Sequence, residues 1–308
     1  MLDTLPRKTR GKARVPSVAI AAFIIAGCGL TSGASGGGPG SKVEVAAAEN
    51  FWGSIAAQLG GAHAHVTSII ANPATDPHAY EARPDDARAM AAARYVVING
   101  AGYDPWAPKL LAANPVSGRV VLNVAELVSK KEGDNPHLWY SPDYVGRVID
   151  RISTDLKRID PADAAYFDQQ NTLYRTVALK EYHAAIETIK QKYSGVPAGA
   201  TESIFTYLAQ ATGLNLITPP EYMKAISEGA EPTADDKVAI GRQIATKQFR
   251  VFVFNAQNTT PDVSALVNKA RSEQVPVVAV TETLAPAGTT FQDWQTSQLK
   301  ALLLALGG

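Results

Sequence analysis

Apolar and polar positions along the chain fall into two kinds of stretch. Short runs rich in β-branched and apolar residues lie at Val43–Ala47, His65–Ile70, Tyr95–Asn99 and Arg119–Leu122. A second set lies at Ala198–Thr201, Asn215–Ile217, Val251–Asn255 and Pro276–Val280. Between them come longer amphipathic stretches near 50–60, 84–93, 103–113, 142–157, 203–211, 233–247, 261–274 and 291–306, where helical spacing of apolar residues predicts helices. Strand, helix, strand in this repetition predicts an α/β fold of two lobes. Each lobe has a mostly parallel four-stranded sheet flanked by helices.

Residues 160–195 join the two sets and carry a different pattern. Apolar or small residues recur at Phe167, Tyr174, Ala178, Tyr182, Ala185, Ile189 and Tyr193, all on one helical face. Asp160-Pro161 reads as a cap followed by proline in the first turn, and Gly195 and Pro197 stop the helix. At about 1.5 Å per residue, such a helix spans roughly 50 Å and can run along both lobes as a strut.

The first residues read as an address. Arg7, Lys8, Arg10, Lys12 and Arg14 form a basic head, an apolar run follows from Val15 to Ala26, and Ile25-Ala26-Gly27-Cys28 closes it. That ending resembles a bacterial lipobox, which implies cleavage after residue 27 and a lipid on Cys28. Residues 28–41 read as a flexible Gly/Ser tether. The predicted organisation is therefore a signal peptide at 1–27, a tether at 28–41, an N-terminal lobe at 42–159, a linking helix at 160–195 and a C-terminal lobe at 196–308. Its expected location is the outer face of the cytoplasmic membrane.

Charge and cysteine usage narrow the chemistry. Residues 1–27 hold five of the 29 basic residues and one of the 29 acidic ones, so the chain from Cys28 onward carries a net charge of −4. No basic stripe suggests nucleic acid, and the expected state is a monomer. Cys28 is the single cysteine, which excludes an internal disulfide and any cysteine-rich zinc site.

Metal chemistry would then fall to His, Asp and Glu. Two of the five histidines sit in similar surroundings, His78 in Asp76-Pro77-His78-Ala79-Tyr80-Glu81 and His137 in Asn135-Pro136-His137-Leu138-Trp139. In each, the preceding proline restricts the backbone and so stiffens the approach to the imidazole. In open α/β sheets, ligands bind beyond the C-terminal strand ends. There the second lobe offers Glu202, directly after Ala198–Thr201, and Glu282, directly after Pro276–Val280. Two histidines and two carboxylates would complete a site between the lobes, with little room for a catalytic water. Taken singly, each residue has a bland reading: a hydrogen-bonded loop histidine, or a glutamate at a helix start. Asn50 and Ser203 read as helix caps, with hydrogen bonding to the ligands as the alternative; His63 and His65 read as a solvated pair sharing one face of an edge strand, with a second metal site as the alternative; His183 reads as solvent-facing.

Those segments, together with Tyr140-Ser141-Pro142, Glu202-Ser203-Ile204-Phe205-Thr206-Tyr207-Leu208 and Thr281-Glu282-Thr283-Leu284, resemble the solute-binding lipoproteins of bacterial zinc and manganese ABC transporters, receptors with a helical backbone between two lobes. The resemblance spans nearly the whole chain after the tether. It implies that His78, His137, Glu202 and Glu282 bind one divalent transition-metal ion as cargo, that an ABC permease in the cytoplasmic membrane is the partner, and that the chain is not an enzyme. Two features depart from the zinc-specific members. Glu202 stands where they usually carry a third histidine, and the His-rich loop before the second histidine shrinks to Ser129–Asn135. An oxygen-rich donor set permits Mn2+ or Fe2+ alongside Zn2+. The competing readings are a metal-dependent hydrolase using the same cleft, which would need an open coordination position and a general base, and a surface adhesin.

Overall fold

Both predicted sheets form, and they share one topology. A computed structural model describes residues 42–75 and 80–307. Its strands are β1 (Val43–Glu49), β2 (Ala64–Ile70), β3 (Tyr95–Ile98), β4 (Val120–Asn123), β5 (Pro197–Ala200), β6 (Asn215–Leu216), β7 (Val251–Asn255) and β8 (Val277–Val280). The orders are β2-β1-β3-β4 and β6-β5-β7-β8, parallel throughout. Helices cover both faces of each sheet. The central strands are accordingly apolar without alternation, and all four residues of β3 are buried.

The helices are α1 (Asn50–Gly60), α2 (Pro84–Ala92), α3 (Trp106–Ala113), α4 (Val124–Leu127), α5 (Pro142–Ile159), α6 (Ala164–Leu173), α7 (Lys180–Tyr193), α8 (Thr206–Thr212), α9 (Pro220–Ser227), α10 (Ala234–Ala245), α11 (Pro261–Ser272) and α12 (Phe291–Leu306). Several begin as the sequence dictates. Ser141, Thr233, Thr260 and Thr290 each accept a backbone N–H of the first turn, and Pro142 and Pro261 follow their caps directly. The pattern gave no sign of α4 or α9, which are too short to show a helical period. Gly53 lets α1 lie against β2, because a Cβ there would sit 2.0 Å from the Ser68 hydroxyl.

The linking helix is not uniform. It opens with a 3-10 turn at Pro161–Asp163 in which Asp160 makes no side-chain cap, contrary to expectation. It then runs as α6, a π turn at Tyr174–Ala178, and α7. The Leu179 N–H reaches the Tyr174 carbonyl at 2.9 Å, so one extra residue is fitted into the turn. That shift brings Leu179 inward alongside Tyr174, Tyr182 and Ile189.

One apolar core runs through both lobes and the linking helix, from Phe51, Trp52 and Trp139 through Tyr182 and Ile189 to Phe205, Phe252 and Trp294. Helix α12 reinforces this continuity by packing on α7 and on α1. Gln58 and Gln292 exchange hydrogen bonds through their amides at 3.0 and 2.7 Å, and the Phe291 N–H donates to the Ser54 hydroxyl. Relative motion of the lobes would have to break this seam as well as bend the strut. Among the described residues no helix is long and apolar enough to cross a membrane.

Candidate metal centre

The C-terminal ends of both sheets converge on the region between the lobes. Glu202 lies two residues beyond β5, where it precedes the 3-10 turn Ser203–Phe205, and Glu282 lies two residues beyond β8. His137 precedes the 3-10 turn Leu138–Tyr140. All three are buried. His78 and Cys28 lie outside the described residues. On either side of His78, the Pro73 carbonyl accepts a hydrogen bond from Gln257 of the other lobe, and Tyr80 packs on Trp106. Among the described residues no group of three or more His, Cys, Asp or Glu is placed to hold a metal ion by itself.

The hydrogen bonds around His137 fix its ring. The Asn135 side-chain oxygen accepts from the His137 backbone N–H at 3.1 Å and faces the ring Nδ1 at 2.7 Å, while the Asn135 amide donates to the Ser203 carbonyl at 2.8 Å. With Asn135 oriented by those contacts, Nδ1 carries the proton and Nε2 is the basic nitrogen. Asn135 also ties His137 to the backbone beside Glu202 across the lobes. Phe51, stacked on Trp139 at 3.9 Å, and Tyr103 form an aromatic wall beside the imidazole.

The two glutamates are held as precisely placed acceptors. The Asn258 amide donates to Glu202 at 3.2 Å. Glu282 receives the Asn255 amide on one oxygen and the Tyr103 hydroxyl on the other, both at 2.7 Å. The Gln257 side-chain oxygen accepts the backbone N–H groups of Glu282 and Thr283. Burial, with the neighbouring Glu282 carboxylate, pushes the Tyr103 phenol well above its ordinary range, so it stays a donor.

Tyr103 owes its position to a strained turn. Gly100, Ala101 and Gly102 all have positive φ. A Cβ at Gly100 would meet the Asn123 side chain at 2.2 Å, so only glycine fits there. The turn is pinned by Asp104, whose two oxygens accept the N–H groups of Asn99 and Gly100. Beside Asp104 lies Glu49, the last residue of β1 and fully buried. Burial first, and then the Asp104 carboxylate, pushes Glu49 well above the usual carboxylate range. Burial also raises Asp104, but its backbone hydrogen bonds oppose the shift. Of the two, Glu49 is pushed further toward the neutral acid.

Several residues differ from their sequence reading. Asn50 caps nothing: its side chain accepts from the Leu284 N–H and donates to the Ala71 carbonyl, joining the lobes. The Ser203 hydroxyl faces Ser227 at 2.8 Å and His137 Nδ1 at 3.4 Å. His63 and His65 do not act as a pair, since His63 precedes the strand and binds Asp163, whereas His65 binds Glu44. His183 is exposed, as expected. Tyr103, Asn255, Gln257 and Asn258 were not predicted. The Asn99-Gly-Ala-Gly-Tyr run was the one available signal, because paired glycines mark a tight turn with positive φ. A cleft of about 820 Å3, bounded in part by Tyr103, Asn135, Ser203 and Ser227, leads from solvent to this region.

A family model described as zinc-uptake complex component A, periplasmic, matches residues 45–305. The chain belongs to this family. Among curated relatives, the chain is 25% identical over 209 residues to the manganese-binding lipoprotein MntA of Halalkalibacterium halodurans, covering 65% of this chain and 67% of that one. It is 25% identical over 281 residues to the metal ABC transporter substrate-binding lipoprotein FimA of Streptococcus parasanguinis, covering 84% and 85%. Solved structures share the fold. The periplasmic zinc-binding protein TroA of Treponema pallidum superposes with a TM-score of 0.71 at 19% identity, over 87% of this chain and 100% of that one. A manganese-bound mutant of a periplasmic metal-binding protein from Candidatus Liberibacter asiaticus gives 0.72 at 16% identity, over 85% and 98%.

Proposed function

We propose that this protein captures one divalent transition-metal ion outside the cytoplasmic membrane and delivers it to an ABC importer, with His78, His137, Glu202 and Glu282 as the ligands and Cys28 as the lipid anchor. The observation that carries this reading is the Asn135 bridge. It fixes His137 with Nε2 as the basic nitrogen and bonds across the lobes to the backbone beside Glu202. Hydrogen-bonded partners that lock a ligand's tautomer and orientation are characteristic of metal sites. The ion is cargo, and the shared core and α12 seam favour a receptor that changes little on binding.

Two imidazole nitrogens and up to four carboxylate oxygens suit Mn2+, Fe2+ and Zn2+, with Zn2+ the tightest on intrinsic affinity. The hydrogen bonds from Asn255, Tyr103 and Asn258 keep the carboxylates from rotating freely, which favours a defined coordination number. Relatives that are a manganese-binding lipoprotein and a metal ABC transporter substrate-binding lipoprotein support the same function.

The test is elemental analysis of the purified protein with His137→Ala beside it. One ion per chain in the native protein and none in the variant, with unchanged circular dichroism, is the expected result. Unchanged stoichiometry in the variant overturns the site. Titration of Zn2+ against Mn2+ then ranks the cargo.

A further inference from the structure

The end of the N-terminal lobe farthest from the candidate metal centre carries an unusual surface. A recess of about 470 Å3 is lined by Arg94, Gly118, Arg119, Val120, Val121, Arg151, Arg158 and Ile159, so half of its lining residues are arginines and none is acidic. Behind the lining, Asp155 is buried beneath Arg151 and Arg158 and bonded to both. The lining itself carries four guanidinium groups and no carboxylate.

The arginines differ in what they have left to offer. Arg119 spends its donors on the carbonyls of Ala93, Asn114 and Ala91, and so shapes the recess. Arg94 is exposed and reaches one carbonyl, that of Ile159, at 3.5 Å. Arg158 is exposed and makes a single 3.3 Å contact with Asp155. Guanidinium groups with donors to spare match phosphate oxygens in geometry and charge. Their position at the C-terminal end of α5 adds the negative end of the helix dipole, which supports the cations in place.

Two further observations say what kind of phosphate fits. Val116 and Val121, two of the large apolar side chains that the fold leaves exposed, stand beside the recess, Val121 within its lining. Cations interleaved with exposed apolar side chains suit the interface of a lipid bilayer better than a free anion. The recess also lies where the chain enters the fold: the Arg94 N–H donates to the Glu44 carbonyl, one residue into β1, and the Val120 N–H donates to the Arg94 carbonyl. On the lipid-anchor reading above, thirteen residues separate Cys28 from Lys42. A Gly/Ser-rich tether of that length has a root-mean-square span of about 20 Å. The anchor would hold this end close to the bilayer, where even weak contacts are populated.

We propose that the arginine-lined recess docks onto the headgroups of anionic phospholipids, so that the N-terminal lobe rests on the membrane by its tether end. The anchor supplies proximity and the recess supplies orientation. This places the basic surface against the bilayer and leaves the cleft between the lobes clear of it. The inference depends on the lipid-anchor reading for its tether argument, but not on the metal site.

The test uses the chain from residue 28 onward with Cys28→Ser, so that no lipid is attached; this chain keeps both sheets and the whole core. It is sedimented with vesicles of phosphatidylcholine alone and with vesicles containing equal parts phosphatidylcholine and phosphatidylglycerol. Binding is expected only to the anionic vesicles. Arg94→Gln with Arg158→Gln should weaken it about 30-fold, the effect of two surface charges. That variant leaves the Arg151–Asp155 pair in place, and an unchanged circular dichroism spectrum and thermal melt verify its fold. Lys190→Gln with Lys192→Gln, on exposed cations elsewhere, should change little. Equal binding to both vesicle types, equal loss in the lysine variant, or binding of inorganic phosphate without binding of vesicles would each overturn the proposal. Fatty-acid labelling at Cys28 tests the anchor separately, and elemental analysis tests the metal site.

Discussion

The two lobes carry the same strand order, β2-β1-β3-β4 and β6-β5-β7-β8, and their matching strand ends hold matching residues. Glu49 closes β1, and Glu202 follows its counterpart β5 by two residues. Asn99 follows β3, and Asn255 closes β7. Yet the environments diverge. Glu202 accepts from the Asn258 amide, whereas Glu49 is sealed beside Asp104 and is pushed toward the neutral acid. Asn255 holds Glu282 itself, while Asn99 holds the Pro136 carbonyl next to His137. The C-terminal lobe delivers carboxylates straight from strand ends. The N-terminal lobe pushes its strand-end carboxyl toward the neutral acid and instead presents the His137 imidazole directly after Pro136. Fold position sets where a donor can stand; the neighbouring charges decide whether it is one.

The largest effect expected from this contrast is between the two strand-end glutamates. Glu202→Gln should lower metal affinity by more than about 100-fold, beyond the 10–100-fold typical of groups that only orient ligands. Glu49→Gln should leave it unchanged, because burial and the Asp104 carboxylate both favour the neutral acid that glutamine mimics. Both are read by competition with a fluorescent chelator. If Glu49→Gln matches Glu202→Gln, the two strand ends are functionally alike and the comparison fails.

Affinity should also depend on pH through the histidines. A protonated imidazole cannot bind a metal, so binding should weaken progressively below about pH 6.5. A flat affinity between about pH 8 and 5 would remove the imidazoles from the site.

The paired asparagines come next. Asn255→Ala strips a direct hydrogen bond from Glu282 and should cost about 10-fold or more in affinity. Asn99→Ala acts only through the Pro136 carbonyl and the turn leading to His137, so its effect on affinity should be smaller. It should appear in stability as well, because Trp52 also donates to Asn99 in the core. A reversed order would mean that the His137 loop, not the strand ends, is the more finely tuned support.

Much of this architecture was legible in the sequence. Eight apolar runs marked the sheets, because strands buried on both faces need no polar alternation. The meeting of His137, Glu202 and Glu282 between the lobes was legible because the topology says which strand ends face each other. The supports were not. Asn255, Gln257 and Asn258 are ordinary loop residues until folding sets them against Glu282 and Glu202, and nothing in their spacing encodes that contact. Asn50 looked like a cap because it opens a helix, yet its side chain is spent on Leu284 in the other lobe. The π turn was invisible for a related reason: one extra residue in a turn barely changes the apolar stripe of a long amphipathic helix. The crossing of α12 onto α1 depends on polar side chains, Gln58, Gln292 and Ser54, which a hydrophobic pattern does not register.

The smallest effect separates the lobes on stability. A carboxyl whose folded pKa is raised favours the native state below its unfolded pKa, and that contribution is lost as pH rises toward the folded value. For Glu49 the window opens near the ordinary glutamate pKa of about 4.3 and extends upward, because burial and Asp104 both raise it. Within that window the unfolded chain releases a proton that the native chain keeps, so native stability declines with pH. Glutamine mimics the neutral acid at every pH and removes the decline. Glu49→Gln should therefore be as stable as the native chain at about pH 4 and more stable at pH 7. The gap should grow by at most about 1.4 kcal/mol per pH unit. Denaturant melts of the metal-free protein at a series of pH values read it directly. A gap that is constant with pH would show that Glu49 is ionised in the fold, and the contrast drawn between the two strand ends would fail.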